Sequence, residues 1–593
     1  MDKTIVISVF VVAGIAIMYS FWMSLSDTRV TVKQVSVQET YDYIIVGGGT
    51  AGSVIGSRLS EDINVTVLIL EAGNHHETYP DIKDPSKAMF LQHSAVDWNY
   101  MSAEDSSFNG LRGHTHFITS GRVLGGSSAI NYNIYVRGSP FHFDEWVTTY
   151  GGDGWGYKDM LPYFKKCESM EIERFKNSDY HGVNGPIAVS ELPVPEVVYN
   201  VFLTAAKQLG YDEVDYNGQS QSGFGPIQYS IRNGQRSSAS SEYLNINLID
   251  QRQNVDISVN SVVTKIDIID KVARGVYFIK NNKKQYVKIK REIIVSAGAL
   301  KSPQVLMLSG IGPQKHLKEL NIPVVVDVPV GLKLNNHVAV AVHVKCDISV
   351  LHNADEEDLI SKIGSFLFGA SEYGPFVTNG FLHTDPAAIG KEKPDLQMVL
   401  TQTIFDTTGL YNYDQSVRDI MRKSYQNETG FTAIIFLTQP KSFGNVKLNT
   451  ADPFDHPRVH INQLSNDADV KALTKGIRLL EKITLTDSLK ELKPDLGINE
   501  HSFCSDHVFK SDEYWECFIR YTAFISHHYS TTCRMGPAED QSSVVDLSLK
   551  VKGVDNLRVC DASVFPSVTT GNTYAPVLAV AEKLADMIKN KAT

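Results

Sequence analysis

Apolar and polar residues alternate in short blocks after residue 40, and glycines separate the first blocks. Residues 41–46 (YDYIIV) predict a buried strand, and residues 64–70 (NVTVLIL) predict a second one. Between them, the glycines at 47–49 predict a turn and residues 50–60 a helix. A strand, a glycine turn, a helix and a strand in this order are typical of a parallel βαβ unit. The pattern therefore predicts an α/β fold.

Similar blocks return near residue 300 and at the end of the chain. Residues 292–297 (EIIVSA) predict a buried strand, and residues 303–308 predict a helix. Residues 557–559 predict another strand, and residues 575–590 predict an amphipathic helix with a proline in its first turn.

The middle of the chain has a different pattern. From about 336 to 539 the chain is richer in alternating, strand-like segments such as 431–437 and 445–448. The most basic run, residues 280–291 (KNNKKQYVKIKR), predicts a hairpin turn followed by a strand with one solvated face. Together with a net charge of -11, this argues against a nucleic-acid-binding protein, which needs clustered Lys and Arg.

The chain begins with an apolar segment. Residues 5–25 contain no charged side chain, and about 20 apolar residues are enough to span a bilayer. No Ala-x-Ala cleavage site follows, so a secretory signal peptide and an uncleaved membrane anchor both fit. Either one predicts a secreted or membrane-anchored protein with its globular part outside the cytosol.

Six cysteines are few for an extracellular chain of 593 residues. Cys504 and Cys517 lie close in sequence and are the best candidates for one disulfide. The remaining four are predicted to be free, buried thiols: Cys167, Cys346, Cys533 and Cys560. Asn64 and Asn427 match the N-glycosylation pattern.

A glycine pattern in the first βαβ unit predicts a dinucleotide site. Gly47, Gly49 and Gly52 form G-x-G-x-x-G, and Glu71 follows 19 residues later at the end of the second strand. Gly47 permits the tight turn, Gly49 lets the backbone approach a pyrophosphate, and Gly52 lets helix and strand pack closely. Glu71 can accept hydrogen bonds from ribose hydroxyls. The pattern alone does not separate NAD from FAD.

Two longer segments resemble the signatures of the glucose–methanol–choline (GMC) oxidoreductases. Residues 121–144 (GRVLGGSSAINYNIYVRGSPFHFD) fit the first signature, and residues 298–312 (GALKSPQVLMLSGIG) fit the second. The resemblance extends from about residue 41 to residue 588 and selects FAD over NAD. It implies an FAD-dependent oxidoreductase that acts on CH–OH groups, most similar to the insect glucose dehydrogenase branch.

The resemblance also implies a fold class. We predict an α/β, Rossmann-like FAD-binding domain similar to that of glutathione reductase, with a second α+β substrate-binding domain built on an antiparallel sheet. The predicted parts of the chain are residues 1–30 (signal peptide or membrane anchor), 38–335 (FAD-binding domain), 336–539 (substrate-binding domain) and 540–593 (return to the FAD-binding domain).

Further FAD-binding residues follow from the first signature and from the resemblance. The Gly-Ser loop of the signature offers closely spaced N–H and hydroxyl groups to phosphate oxygens or to a flavin edge. Relatives with covalent flavin carry a His in this loop, and the corresponding residue here is Ile130, so the resemblance predicts non-covalent FAD. Trp98 and Asn99 also lie in a family-like segment. Beyond the glycine motif and Glu71, the predicted FAD-binding residues are Arg122, Gly125, Gly126, Ser127, Asn131, Val263, Asp561, Ala562 and Thr573. No metal ligand is predicted.

Alcohol oxidation needs a base for the hydroxyl proton, and histidine suits this role because its pKa lies near neutrality. In GMC enzymes the active-site His stands seven residues before a Met, and counting back from Met535 selects His528. The second active-site residue of the family is His or Asn, which maps to Asn572. We predict that His528 accepts the hydroxyl proton, Asn572 orients the substrate oxygen, and hydride passes to flavin N5.

Three positions depart from the family. Thr531 stands where relatives usually carry Gly, and a positive φ there would cost a β-branched residue about 1–2 kcal/mol. Tyr574 stands where many animal relatives carry Asn, near the flavin. His527 occupies a position that is commonly aromatic.

The substrate and the electron acceptor stay open. The leading prediction is glucose dehydrogenase-like oxidation of a small-molecule alcohol, with oxygen or a quinone as the acceptor. The alternatives are an ecdysteroid or aromatic-alcohol oxidase, a member similar to hydroxynitrile lyases that keeps FAD without net redox chemistry, and a catalytically silent binding protein.

Overall fold

The computed structural model describes residues 36–193, 196–245, 249, 251–347, 376–497 and 500–592. The predicted signal peptide or membrane anchor, residues 1–30, lies outside this part of the chain. Within the described part, no helix is both long enough and apolar enough to cross a bilayer.

Strands and helices are numbered here in chain order. The strands of the described residues are β1 Thr40–Val46, β2 Val67–Leu70, β3 Tyr100–Met101, β4 Phe117–Ile118, β5 Glu168–Met170, β6 Ile187–Val189, β7 Gly223–Pro226, β8 Ile231–Arg232, β9 Gln235–Arg236, β10 Val255–Ser258, β11 Ser261–Ile269, β12 Val272–Lys280, β13 Lys283–Val295, β14 Val338–Lys345, β15 Phe376–Leu382, β16 Leu396–Thr401, β17 Gly430–Leu437, β18 Asn445–Lys447, β19 Arg458–His460, β20 Phe524–Ile525 and β21 Leu557–Val559. The α-helices are α1 Thr50–Leu59, α2 Ala88–Leu91, α3 Pro140–Thr148, α4 Tyr157–Cys167, α5 Glu196–Gln208, α6 Ala239–Tyr243, α7 Gly298–Leu308, α8 Gln314–Glu319, α9 Gln415–Tyr425, α10 Asp467–Thr484, α11 Asp487–Lys490, α12 Asp512–Thr522 and α13 Tyr574–Ala592.

A seven-stranded sheet contains the first βαβ unit. Its order is β10-β2-β1-β13-β12-β11, and β21 also pairs with β13. β1 runs parallel to both β2 and β13, with Ile45 opposite Ile69 and Ile294, so the predicted βαβ unit is confirmed. Its central strands are almost continuous apolar runs because both faces of a parallel sheet are covered. Helix α1 packs on β1 and β2, and α13 packs on α1, where Arg58 donates to Glu582 at 2.8–2.9 Å.

The helix after β13 begins five residues earlier than the sequence predicts. The prediction starts it at Pro303, whereas α7 starts at Gly298 and contains Pro303 in its interior. A proline cannot donate to the carbonyl four residues before it, which here belongs to Ala299. The Thr532 hydroxyl donates to that carbonyl at 2.7 Å. The helix therefore continues across Pro303 because a distant loop supplies the missing hydrogen bond.

A six-stranded antiparallel sheet forms the second layer, in the order β20-β14-β17-β16-β15-β7. Side chains alternate between its two faces. On β16, Leu396, Met398 and Leu400 belong to a core shared with α10 and α12, whereas Gln397 and Val399 lie on the opposite face. That second face borders the cavity described below. The edge strand β7 belongs to residues 38–335, which the sequence analysis assigns to the FAD-binding domain.

The cysteines agree with the sequence-based prediction. Cys504 and Cys517 form a disulfide with their Cα atoms 5.9 Å apart. The other four cysteines are free and buried. The two sheets, one largely parallel with flanking helices and one antiparallel, confirm the predicted fold class.

Candidate active site

Two glycine turns meet at the carboxyl end of β1. A Cβ on Gly126 would lie 2.8 Å from the Cα of Gly49, so the close approach of the two turns leaves no room for a side chain. A Cβ on Gly52 would clash with the carbonyl oxygen of Gly47, which is the tight packing that the glycine motif predicts. Gly49 is the N-cap of α1, and no side chain caps this helix. Its first N–H groups are therefore available to an anion such as a phosphate.

Glu71 is buried directly after β2. Its two carboxylate oxygens accept hydrogen bonds from the backbone N–H groups of Gly48 and Gly73 at 2.9 and 2.7 Å. Burial raises the pKa of this carboxyl to about 7. Each oxygen keeps a further lone pair, so Glu71 can still accept from the hydroxyls of a ligand.

A cavity of about 310 Å³ lies between the glycine turns and the second face of the antiparallel sheet. Its wall includes Trp98 and most of the predicted site residues, which come from both sheets and from the start of α13. The predicted residues that line it are Gly47, Gly49, Glu71, Gly126, Ser127, Asn131, Val263, His528, Asp561, Ala562, Asn572 and Thr573.

Three predicted FAD-binding residues do not line this cavity. Gly52 lies beneath the first turn, against Gly47. Gly125 has φ +97° and packs against Ser240, so it shapes the second turn from behind. Arg122 is exposed, and its guanidinium carbon lies 4.9 Å from the centre of the Trp98 ring. Gly52 and Gly125 therefore shape the cavity through the two glycine turns, and Arg122 contacts its wall through Trp98.

Asp561 joins the start of α7 to the last part of the chain. Its carboxylate accepts from the Gly298 N–H at 2.9 Å, from the Ser302 hydroxyl at 2.6 Å and from the Ser563 N–H at 2.8 Å. Burial raises the pKa of this carboxyl. These bonds hold Asp561 and its neighbour Ala562 in the cavity wall.

His528 follows β20, and its position depends on the residues that precede β14. The backbone N–H of His528 donates to Asn336 Oδ1 at 2.7 Å, and His528 Nδ1 lies 2.9 Å from His337 Nδ1. β14 pairs with β20 through Val338 and Ile525. This strand pairing brings together two histidines that are 191 residues apart in sequence.

The contacts of Asn572 decide which nitrogen of His528 carries a proton. Asn572 Nδ2 donates to His528 Nε2 at 3.3 Å, and Gln397 Nε2 donates to Asn572 Oδ1 at 3.3 Å. An amide NH2 group only donates, so His528 Nε2 is the acceptor and carries no proton. The proton of the neutral ring is therefore on Nδ1, which donates to His337. An unprotonated Nε2 thus stands in the cavity wall beside an amide donor.

Both histidines are neutral at neutral pH. Burial, with His337 and His527 nearby, holds the pKa of His528 well below its usual range. Burial lowers the pKa of His337 to about 4. The carbonyls of Thr438 and Thr569 favour a proton on the His337 ring, and that proton is on Nε2 because His528 Nδ1 donates to His337 Nδ1.

The structure explains two of the departures from the family. Thr531 has φ +72°, the conformation that makes glycine common at this position. Its hydroxyl accepts from the Asn335 N–H at 3.1 Å and donates to the Lys333 carbonyl at 3.3 Å, which offsets the backbone strain. Tyr574 begins α13 and lines the cavity, and its hydroxyl donates to the Ser237 carbonyl at 3.1 Å.

Sequence reasoning missed His337 and Gln397. Neither residue lines the cavity, and each acts through a neighbour that does. The Asn-Asn-His run at 335–337 is the visible signal for the first, but no spacing rule links it to His528. Gln397 carries no signal because its partner Asn572 is 175 residues away.

Comparison with known proteins shows which family the chain matches. Residues 41–339 match the N-terminal model of the GMC oxidoreductases, and residues 440–581 match the C-terminal model. The chain is 33% identical over 562 residues to glucose dehydrogenase (FAD, quinone) of Drosophila pseudoobscura pseudoobscura, covering 93% of this chain and 87% of that enzyme. It is 35% identical over 568 residues to an oxygen-dependent choline dehydrogenase of Staphylococcus saprophyticus, covering 94% and 96%. The crystal structure of pyridoxine 4-oxidase from Mesorbium loti matches with a TM-score of 0.78 at 27% identity, covering 93% and 99%.

The chain belongs to the GMC oxidoreductase family, the FAD-dependent oxidoreductases that act on CH–OH groups of their donors. Three features fit the pyrophosphate and ribose of FAD. They are the glycine turns, where a side chain would fill the space, the uncapped N-terminus of α1, and the buried carboxylate of Glu71. Over the described residues, no group of three or more His, Cys, Asp or Glu is placed to hold a metal ion.

Proposed function

We propose that this chain oxidises an alcohol, with His528 as the base and Asn572 as the residue that positions the hydroxyl group. FAD, when bound, accepts hydride from the carbinol carbon. His528 Nε2 can accept the hydroxyl proton because it carries no proton and the ring is neutral, and the substrate hydroxyl would replace Asn572 Nδ2 at its lone pair. Asn572 Nδ2 donates to the substrate oxygen from beside that lone pair. The observation that carries this proposal is the 3.3 Å contact between Asn572 Nδ2 and His528 Nε2.

We propose further that the predicted cofactor residues hold FAD in the same cavity. Gly47, Gly49 and the N-terminus of α1 would hold the pyrophosphate, and Glu71 would accept from ribose hydroxyls. By resemblance, Val263 would contact adenine. The residues that would contact the flavin and its ribityl chain are Gly126, Ser127, Asn131, Asp561, Ala562 and Thr573. Their presence in one wall supports this assignment.

Anaerobic mixing of the full-length holoenzyme with alcohols tests the proposed reaction, since oxidation bleaches the flavin. His528→Ala should retain FAD and slow flavin reduction by about 100-fold or more. His507 is exposed, so His507→Ala is a matched control with the wild-type rate. A His528→Ala enzyme that keeps both FAD and a near-normal rate would contradict the assignment. A lyase would consume its substrate and leave the flavin oxidised, whereas a silent binding protein would leave both the substrate and the flavin unchanged.

Two relatives support different electron donors and acceptors. Similarity to the Drosophila enzyme supports a sugar and a quinone, and similarity to the staphylococcal enzyme supports choline and oxygen. Turnover in air compared with turnover of a quinone-like dye under nitrogen distinguishes the two acceptors. The side chains of the cavity wall determine which electron donor fits the site.

We also propose that the globular part lies outside the cytosol. The apolar segment at 5–25 supports this location, and so does the disulfide, because disulfides persist in oxidising compartments. Asn64 and Asn427 are both exposed. Treatment of the cell-derived protein with peptide N-glycosidase should reduce its mass, and the double variant Asn64→Gln, Asn427→Gln should not respond. A cytosolic location of the full-length protein on cell fractionation would overturn the proposal.

A further inference from the structure

The cavity wall next to Asn572 is apolar. On β16 and β17, Val399 lies opposite Ile434 and Gln397 lies opposite Phe436. Val399, Ile434 and Phe436 line the cavity. Gln397 shares a face of β16 with Val399 and donates to Asn572. The apolar patch therefore begins beside the residue that positions the hydroxyl group.

Aromatic rings extend this wall. The rings of Tyr411 and Phe524 stack with 4.3 Å between their centres, and Phe405 lies 6.1 Å from Phe376. All four line the cavity. The Tyr411 ring is also nearly parallel to that of His527, at 17° and 6.3 Å, and His527 is the chain neighbour of the base. The rings offer flat apolar surfaces close to the site of proton transfer.

The charged side chains of the cavity belong to other elements. Among the described lining residues they are Glu71, Asp561 and Lys301. Glu71 and Asp561 each hold backbone N–H groups of the glycine turn or of α7, and Lys301 lies 4.9 Å from the centre of the Trp98 ring. The antiparallel sheet contributes no charged side chain to the described wall.

We propose, on the basis of the proposed function, that the substrate is an uncharged alcohol whose carbinol group is attached to an apolar, ring-bearing body. A sugar would place several hydroxyl groups against the antiparallel sheet, whose lining side chains are all apolar, and a buried hydroxyl without a partner opposes binding. Choline would place a fixed positive charge near His528, which becomes positive itself when it accepts the proton. The described wall has no carboxylate among its apolar residues to offset these two charges.

His527 adds one polar contact to this wall. Its Nδ1 accepts from the Thr119 backbone N–H at 3.4 Å and lies 2.9 Å from the Tyr529 hydroxyl. A backbone N–H only donates, so the proton of the neutral ring is on Nε2. Burial lowers the pKa of His527 to about 4, which keeps the ring neutral. His527 lines the cavity, and this N–H is the ring's one donor. An oxygen on the body of the substrate, such as that of a methoxy group, would accept from it.

Anaerobic flavin reduction in the full-length holoenzyme by five alcohols tests the substrate class: 4-methoxybenzyl alcohol, benzyl alcohol, hexan-1-ol, glucose and choline. The efficiency with 4-methoxybenzyl alcohol should exceed that with glucose or choline by about 100-fold or more. Aromatic rings alone can hold a quaternary ammonium group, so choline is the sharpest competitor. Faster reduction by glucose or choline would overturn the substrate class and leave the proposed function intact. Failure of all five alcohols to reduce the flavin would contradict the proposed function itself.

Variants of the wall provide the second measurement. Phe405→Ala should lower the efficiency with 4-methoxybenzyl alcohol by about tenfold. Phe454 is 56% exposed and lies outside the cavity, so Phe454→Ala is the matched control without effect. His527→Phe keeps a ring but removes the N–H donor, so the preference for 4-methoxybenzyl alcohol over benzyl alcohol should disappear. Equal effects of Phe405→Ala and Phe454→Ala would contradict the assigned wall.

Discussion

His337 Nδ1 and His528 Nδ1 lie 2.9 Å apart, and the two rings meet at 82°. The proton in this contact belongs to His528, since its Nε2 already accepts from Asn572. His337 thus selects one tautomer of His528, the proposed base, without lining the cavity. The amide on one side and the second imidazole on the other both leave Nε2 unprotonated, which is the form that can accept a proton from a hydroxyl group.

Removal of this second imidazole should impair the base. His337→Leu deletes the acceptor, and we expect it to lower the rate of flavin reduction by about 10-fold to 100-fold, because the other tautomer becomes accessible. His337→Asn places an oxygen near the former Nδ1 and should restore most of the rate. Stopped-flow reduction and flavin absorbance measure the rate and the FAD content. Equal rates in the two variants, at equal thermal stability, would show that His337 has only a structural role.

The low pKa of His528 predicts an unusual acid limit of activity. A depressed pKa keeps the ring neutral, and so able to accept a proton, down to pH values at which an ordinary histidine near 6.5 is charged. The efficiency of alcohol oxidation should therefore stay constant from neutral pH through 6.5 and fall only below it. A pH profile of flavin reduction measures this limit. If the rate of flavin reduction has already fallen to half its maximum at pH 6.5 or above, the predicted lowering of the His528 pKa is wrong.

Thr531 allows a direct test of backbone strain against hydrogen bonding. Thr531→Gly removes strain of about 1–2 kcal/mol and loses two hydrogen bonds worth about 1 kcal/mol each, so stability should change little. Thr531→Val keeps the strain and loses both bonds, and we expect a destabilisation of about 1–3 kcal/mol. The midpoint of thermal unfolding at saturating FAD compares the two. A valine variant as stable as the wild type would show that the hydroxyl contributes nothing.

The residue at position 130, Ile130, predicts that the flavin is bound non-covalently. This residue lines the cavity, is 3% exposed and has no nucleophilic atom. We expect acid precipitation of the holoenzyme to release the flavin into the supernatant, where its absorbance is read. Flavin that stays with the precipitated protein would establish a covalent bond and contradict this prediction.

Local patterns were sufficient for the first βαβ unit. Glycine spacing and apolar periodicity act over a few residues, so β1, α1, β2 and the tight packing of Gly52 could be predicted. The start of helix α7 could not be predicted from such local patterns. Its continuation across Pro303 depends on the Thr532 hydroxyl, more than 200 residues away, and no local rule contains that partner.

The sequence by itself determined the family, the FAD cofactor and the candidate pair of His528 and Asn572, because long signatures and fixed spacings carry that information. Only the tertiary structure decided which nitrogen of His528 holds the proton and that the wall beside Asn572 is apolar. The first depends on His337 and Gln397, which reach the pair through the pairing of β14 with β20 and through the face that β16 turns to the cavity. The second depends on Val399, Ile434 and Phe436, which the register of β16 and β17 places in the cavity wall. Strand register sets which side chains meet, and it is fixed by contacts between segments far apart in the chain.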